Sequence, residues 1–210
     1  MIRNLIWDVD GTLFDTYPSF ARAFKLAIND LGQDAPLEWI TTQAKVSLDF
    51  CVEALAERCH LEEDSIGKGF EVHYGSIKPE EQPPFEGVVD ICNFIINNGG
   101  LNLIVTHRRT SGLLKLLETF TMRQYFSDWI TADNAYAKKP NPEAFLATIA
   151  SHKLDPDETL TVGDRDIDIL AGQAAGIRAC FFGDPPSTCQ PELVIQSFHQ
   201  LLEWLKTSNL

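Results

Sequence analysis

Five short apolar runs, separated for the most part by stretches of helical period, constrain this chain more than any other feature. They are Leu5-Ile6-Trp7, Leu101 to Val105, Asp128 to Thr131, Leu160 to Val162 and Ala179 to Phe182. Apolar runs this short suit strands buried on both faces. Between them, Val88, Ile91, Cys92 and Ile95 fall on one helix face, and Leu113, Leu116, Leu117 and Phe120 on another. Asn141-Pro142 supplies an N-cap followed by Pro at a first helical position, opening a helix that carries Phe145 and Ile149 inward. Strands alternating with helices define an α/β protein with a parallel sheet covered on both faces. Ligands of such sheets bind beyond the carboxyl ends of the strands. The polar residues that follow each run are therefore the ones to read for chemistry.

One interval breaks the alternation. Between the first run and Leu101 lies a long stretch with helical patterns and no convincing strand: Phe20, Phe24, Ile28 and Leu31 share one face, and Leu48, Val52, Leu55 and Cys59 another. This predicts an inserted helical module at residues 17–84, with the core formed by residues 1–16 and 85–210. Its hinges fall in "DTYPS" and in the Pro-rich, acidic "KPEEQPPFEG". An insertion on two linkers beside the ligand edge of a sheet is suited to act as a lid.

Composition narrows the partners. The 210 residues, 44% of them hydrophobic, suffice for one sizeable core and a small second module. A formal charge of −13 argues against a broad nucleic-acid or anionic-membrane surface, so attraction of an anionic substrate has to be local. "MIRNLIWD" reaches an Asp before a signal-type apolar region forms, and no run approaches the roughly 20 apolar residues of a membrane span. A cytoplasmic location follows as the expectation. Cys51, Cys59, Cys92, Cys180 and Cys189 are odd in number and show no CxxC spacing, which reads as reduced thiols.

The strand ends carry a converging set. Asp8 and Asp10 follow the first run, Thr106 the second and Gly163-Asp164 the fourth, while Lys139 precedes the Asn-Pro helix start and Asp168 lies one turn beyond Asp164. Two carboxylates aimed at one point repel unless a cation or a shared proton relieves them.

These motifs resemble the haloacid dehalogenase superfamily, in its branch of phosphoglycolate phosphatases and β-phosphoglucomutases with a helical cap. DxDGT stands as Asp8-Val9-Asp10-Gly11-Thr12, the Ser/Thr closing the second strand as Thr106, the Lys before Pro-x-Pro-Glu as Lys139, and GDxxxD as Gly163, Asp164 and Asp168. The resemblance runs in order from Leu5 to about Phe182. It implies a Rossmann-like core with an inserted helical cap, and a phosphatase acting on a small phosphorylated metabolite.

It also implies roles. Asp8 would attack phosphorus and carry an aspartyl phosphate, and Asp10 would protonate the leaving alkoxide and then activate water. Mg²⁺ would be held by Asp8, Asp164 and the backbone carbonyl of Asp10. Lys139 and Thr106 would meet the phosphoryl oxygens, as would N–H groups around Asp10 and Gly11, with Thr12 in the same turn. Asp168 would orient Lys139 or the metal waters.

His107 and Arg108, followed by Arg109, stand after Thr106, and the first two are expected at the substrate. Arg165 stands where relatives commonly have Ser or Thr. Lys138 and Asp166 read as solvated, and Lys45 and Ser47 fall where relatives place a specificity loop. The rival within the class is a phosphomutase of the β-phosphoglucomutase type. From another class the rival is a non-catalytic phosphate-ligand binding protein, although such relatives usually lose the nucleophile or the acid, and both are present here. A nicotinamide-binding domain is the weakest reading, since no GxGxxG follows the first strand.

Overall fold

The structure, a computed structural model, describes residues 1–184, 186 and 188–208. Its chain divides into two compact units, Met1–Phe14 with Pro84–Leu210, and Asp15–Pro83.

The first unit is built on six parallel strands, β1 (Asn4–Trp7), β2 (Asn102–Val105), β3 (Asp128–Ile130), β4 (Thr159–Gly163), β5 (Arg178–Phe182) and β6 (Leu193–Ile195), in the order β3-β2-β1-β4-β5-β6. The fold is the expected α/β, Rossmann-like one. The two-residue period of a strand sorts its side chains. Leu5, Trp7, Ile104, Leu160 and Val162 pack on one side with residues of α5 (Val88–Asn97), α6 (Thr110–Thr119) and α9 (Phe198–Ser208). Ile6, Leu103 and Val105 pack on the other with residues of α7 (Glu143–His152) and α8 (Asp166–Ala174). Both faces are thus dry, which explains why the strands read as continuous apolar runs rather than alternating ones.

The topology chooses the site. The chain lays β2 and β3 on one side of β1, then returns to place β4 on the other, so strand order reverses between β1 and β4. Loops after these two strands diverge at such a switch point and leave a crevice at the carboxyl edge. Asp8 and Asp164 stand there.

The second unit holds four α-helices, α1 (Tyr17–Asp30), α2 (Leu37–Val46), α3 (Leu48–Cys59) and α4 (Glu63–Gly75), and a short 3-10 turn at Pro79–Glu81. Its core gathers Phe24, Ile28, Ile40, Leu55 and Ile66, and Phe24 stacks on Phe70 with ring centroids 4.2 Å apart. Among the described residues no helix is long and apolar enough to cross a membrane.

Several local expectations shift. Leu31 is 39% exposed, because α1 stops at Asp30 and Leu31 is its C-cap rather than part of the apolar stripe. The supposed loop at Lys45 and Ser47 is a helix junction: Lys45 occupies the last turn of α2, and the Ser47 side chain caps α3 by accepting from Phe50 N–H at 2.9 Å. α7 begins at Glu143, one residue late, because the Asn141 side chain accepts from Glu143 N–H at 3.0 Å and makes a local turn through Pro142. Asp166 is half-buried rather than solvated, with Cys189 Sγ 3.7 Å from its carboxylate.

Candidate active site

The carboxyl end of β1 continues as strand for one further residue, since Asp8 N–H donates to Val162 C=O at 2.9 Å. The chain then turns sharply. Leu13 and Phe14 both donate to Val9 C=O at 3.0 Å, and Gly11 sits at φ +78°, a left-handed backbone that favours glycine. The Gly11 N–H donates to Phe14 C=O at 2.9 Å, so this expected phosphoryl donor is already engaged in forming the turn.

Three carboxylates meet beyond β1 and β4. One oxygen each from Asp8, Asp164 and Asp168 lies within 4.8 Å of the other two. Asp168 reaches this point because Gly163 has no side chain: a Cβ there would fall 2.3 Å from the Asp168 Cβ. Its Oδ2 accepts from Arg165 N–H at 3.2 Å, tying the start of α8 back on itself.

Lys139 organises the charges. Its ammonium is buried 2.5 Å from Asp8 Oδ1 and 2.5 Å from Asp168 Oδ1, and it donates to Val105 C=O at 3.1 Å. Burial alone would pull its pKa down, but the two carboxylates outweigh that and hold the lysine above its ordinary value. Burial pushes Asp8 up to about 6 despite the pull of Lys139. Asp168 is equally buried, yet Lys139 and Arg165 together hold it below the usual carboxylate range. The peptide before Pro140 is cis, and Lys139 N–H donates to His107 Nε2 at 2.9 Å. Burial and the neighbouring Lys139 and Arg165 charges lower His107 to about 4, so the ring is neutral and free to accept. His107, expected at the substrate, instead ties the end of β2 to the backbone that carries Lys139.

The other residues fall as follows. Thr106 is buried, and its hydroxyl accepts from Arg108 N–H at 3.1 Å, leaving its own proton to donate. Thr12 donates to Asp164 Oδ1 at 3.0 Å, orienting that carboxylate. Arg108 grips the Asp10 carboxylate, with Nη2 2.5 Å from Oδ1. Arg109 stands at the N-cap position of α6 without a side-chain capping bond, and Lys138 is exposed. Lys45 lies in the other unit, its ammonium 5.7 Å from the Tyr17 ring centroid.

A hard cation fits this donor set. Asp8 Oδ2 is buried with no hydrogen-bond partner, and every side-chain donor in the cluster is a carboxylate oxygen. Such an orphaned acceptor is costly unless a cation or a substrate proton meets it. Asp168 is less suited as a ligand than Asp8 or Asp164, because Lys139 faces its Oδ1 as an ion pair, though without hydrogen-bond geometry, and the Arg165 N–H donates to its Oδ2. The Asp10 side chain stands outside the cluster, on Arg108.

Comparisons with known proteins agree with this fold. A family profile described as "Haloacid dehalogenase-like hydrolase" matches residues 5–182, and the chain belongs to that family. A phosphoglycolate phosphatase of Salmonella choleraesuis is 30% identical over 96% of this chain and 91% of its own length. A solved hydrolase from Streptococcus pneumoniae is 30% identical with a TM-score of 0.70, covering 98% of each chain. A structure from Haemophilus somnus, described as a predicted phosphoglycolate phosphatase, superposes with a TM-score of 0.83 at 22% identity over 97% of this chain and 98% of its own. The protein is an enzyme on the phosphatase side of the family, a phosphoric monoester hydrolase.

Proposed function

We propose that this enzyme hydrolyses a small phosphorylated metabolite, of the phosphoglycolate or sugar-phosphate kind, in the cytoplasm through an aspartyl-phosphate intermediate and with Mg²⁺. The observation that carries the reading is Asp8, buried against Lys139 on one oxygen and without a donor on the other.

Asp8 attacks phosphorus, the bond from phosphorus to the ester oxygen breaks, and Asp10 delivers a proton to the leaving alkoxide. Asp10 then takes a proton from the water that attacks the aspartyl phosphate, which releases inorganic phosphate and restores Asp8. The opposed duties of the two aspartates require different surroundings, and theirs differ: Asp8 lies in a fully buried cluster, Asp10 in a partly buried pair with Arg108. Lys139 fixes the orientation of Asp8 and offsets charge on the phosphoryl oxygens, and Thr106 donates to one of them. Asp8, Asp164 and the Asp10 carbonyl would hold Mg²⁺, with Thr12 orienting Asp164 and Asp168 orienting Lys139. When bound, the ion neutralises the repulsion between an anionic nucleophile and an anionic ester.

The test is phosphate release from a panel of small phosphate esters with Mg²⁺ or EDTA. Metal-dependent release by the wild type that disappears in Asp8→Asn is expected. Release that survives in Asp8→Asn would overturn the covalent reading.

A further inference from the structure

We propose that Arg108 determines specificity by binding a second anionic group, a carboxylate, carried on the leaving side of the phosphate ester. The inference rests on the reading above, in which Asp10 serves the leaving oxygen. It begins with an occupied acid. Arg108 Nε lies 3.1 Å from Asp10 Oδ1 and 3.3 Å from Oδ2, and Nη2 lies 2.5 Å from Oδ1. Both oxygens of Asp10 thus accept from a single guanidinium fork, the planar geometry that Arg offers and Lys does not.

An ester oxygen and this fork compete for the same Asp10 atoms. Drawing the fork off frees Asp10 to turn an oxygen to the leaving group. The side chains of Arg108 and Asp10 are 9% and 20% exposed, so a guanidinium that lets go inside the site needs another anion to replace Asp10. The phosphoryl group is met by Lys139 beside Asp8. An anion that arrives with the leaving group can take that place.

The backbone of Arg108 is arranged for such an exchange. Its N–H donates to Thr106 Oγ1 at 3.1 Å, and its C=O accepts from Ala132 N–H at 3.0 Å. With the main chain tied on both sides, a change of partner falls to the side chain. A carboxylate is the best replacement because it presents the same two-oxygen edge that Asp10 presents now. Since the ester oxygen must lie against Asp10 and the fork is in hydrogen-bond contact with that same residue, the substrate carboxylate has to stand within one or two carbons of the ester oxygen. The ligand class is the phosphate ester of a short 2- or 3-hydroxy acid. Arrival of the correct substrate would then release the acid it needs, coupling recognition to catalysis.

The experiment separates this from the phosphatase reading by measuring binding apart from turnover. Affinities for 2-phosphoglycolate and for 2-hydroxyethyl phosphate, its counterpart without the carboxylate, are measured by calorimetry in Mg²⁺ on Asp8→Asn. The measurement is repeated with Arg108→Gln or Arg108→Lys added, and circular dichroism checks that each variant is folded. The preference for the carboxylated ester is expected to fall by about 10- to 100-fold with Gln, the loss expected when a hydrogen bond to a charged group is removed, and by less with Lys. An unchanged preference, an equal loss on both esters, or no preference in the parent would overturn the assignment. Wild-type protein that released no phosphate from either ester, yet kept an Arg108-dependent binding preference, would instead overturn the phosphatase reading alone.

Discussion

The sheet unit and the helical unit handle buried polarity in opposite ways. Among the described residues every buried charged side chain, Asp8, Lys139 and Asp168, belongs to the sheet unit. The buried polar side chains of the helical unit are the neutral Thr16, Ser19 and Gln82, around a core of Phe, Ile, Leu and Cys. Buried charges are retained at a cost in solvation, so their concentration at one strand edge marks where chemistry outweighs stability. The helical unit carries no such load, and packing alone accounts for its core.

Breaking each unit by its own principle tests that contrast. Lys139→Met should have the largest effect, because it leaves Asp8 and Asp168 facing each other without their cation. Breaking a buried ion pair from one side typically costs about 3–5 kcal/mol, so the urea midpoint should fall sharply and phosphate release should be lost. Phe24→Ala removes a buried, stacked ring from the helical core and should cost about 3–5 kcal/mol of that unit's stability. Limited proteolysis should then cut within residues 15–83 first; cuts appearing first in the sheet unit would contradict the independence of the two cores.

Smaller effects sharpen the description of the charged edge. Thr12→Val removes the hydroxyl that holds Asp164, and losses of such orienting contacts typically weaken metal binding 10- to 100-fold. Mg²⁺ titration followed by thermal shift should read that loss without the fold being disturbed. The smallest effect is in pH. Asp8 is raised from 3.8 to about 6 in the metal-free protein, so the folded chain binds this proton more tightly than the unfolded chain. Its contribution therefore favours the fold below pH 3.8 and becomes increasingly unfavourable as pH rises to about 6. Mg²⁺ relieves that cost only where Asp8 is ionised, so the rise in Tm on adding Mg²⁺ should be larger at pH 7.5 than at pH 5.

Much of the fold was legible because burial on both faces forces continuous apolar runs. β1, β2, β4 and β5 each bury three or more hydrophobic side chains or pair on both edges, and their runs stand out. β6 did not, because Leu193–Ile195 is a three-residue edge strand whose identity comes from pairing with β5, Phe181 opposite Val194. For the candidate site, the places of Asp8, Asp10, Thr106, Lys139, Asp164 and Asp168 at the carboxyl edge were readable from motif order and from the strands they follow. The contacts of Thr12, His107 and Arg108 were not. Their partners Asp164, Lys139 and Asp10 lie 152, 32 and 98 residues away in sequence, and no local pattern encodes contacts that distant.

The sequence by itself determined the parallel α/β core, the helical insertion and the set of strand-end carboxylates, since periodicity and turn chemistry are local properties. Only the tertiary structure decided which charge meets which. The strand order brought Asp8 beside Asp164, the missing side chain of Gly163 admitted Asp168, and the loop after β3 delivered Lys139 between two buried acids. It also set the Arg108 guanidinium on Asp10. These pairings exist only after the sheet has assembled, because burial makes each of these charges depend on a partner that the local chain does not contain.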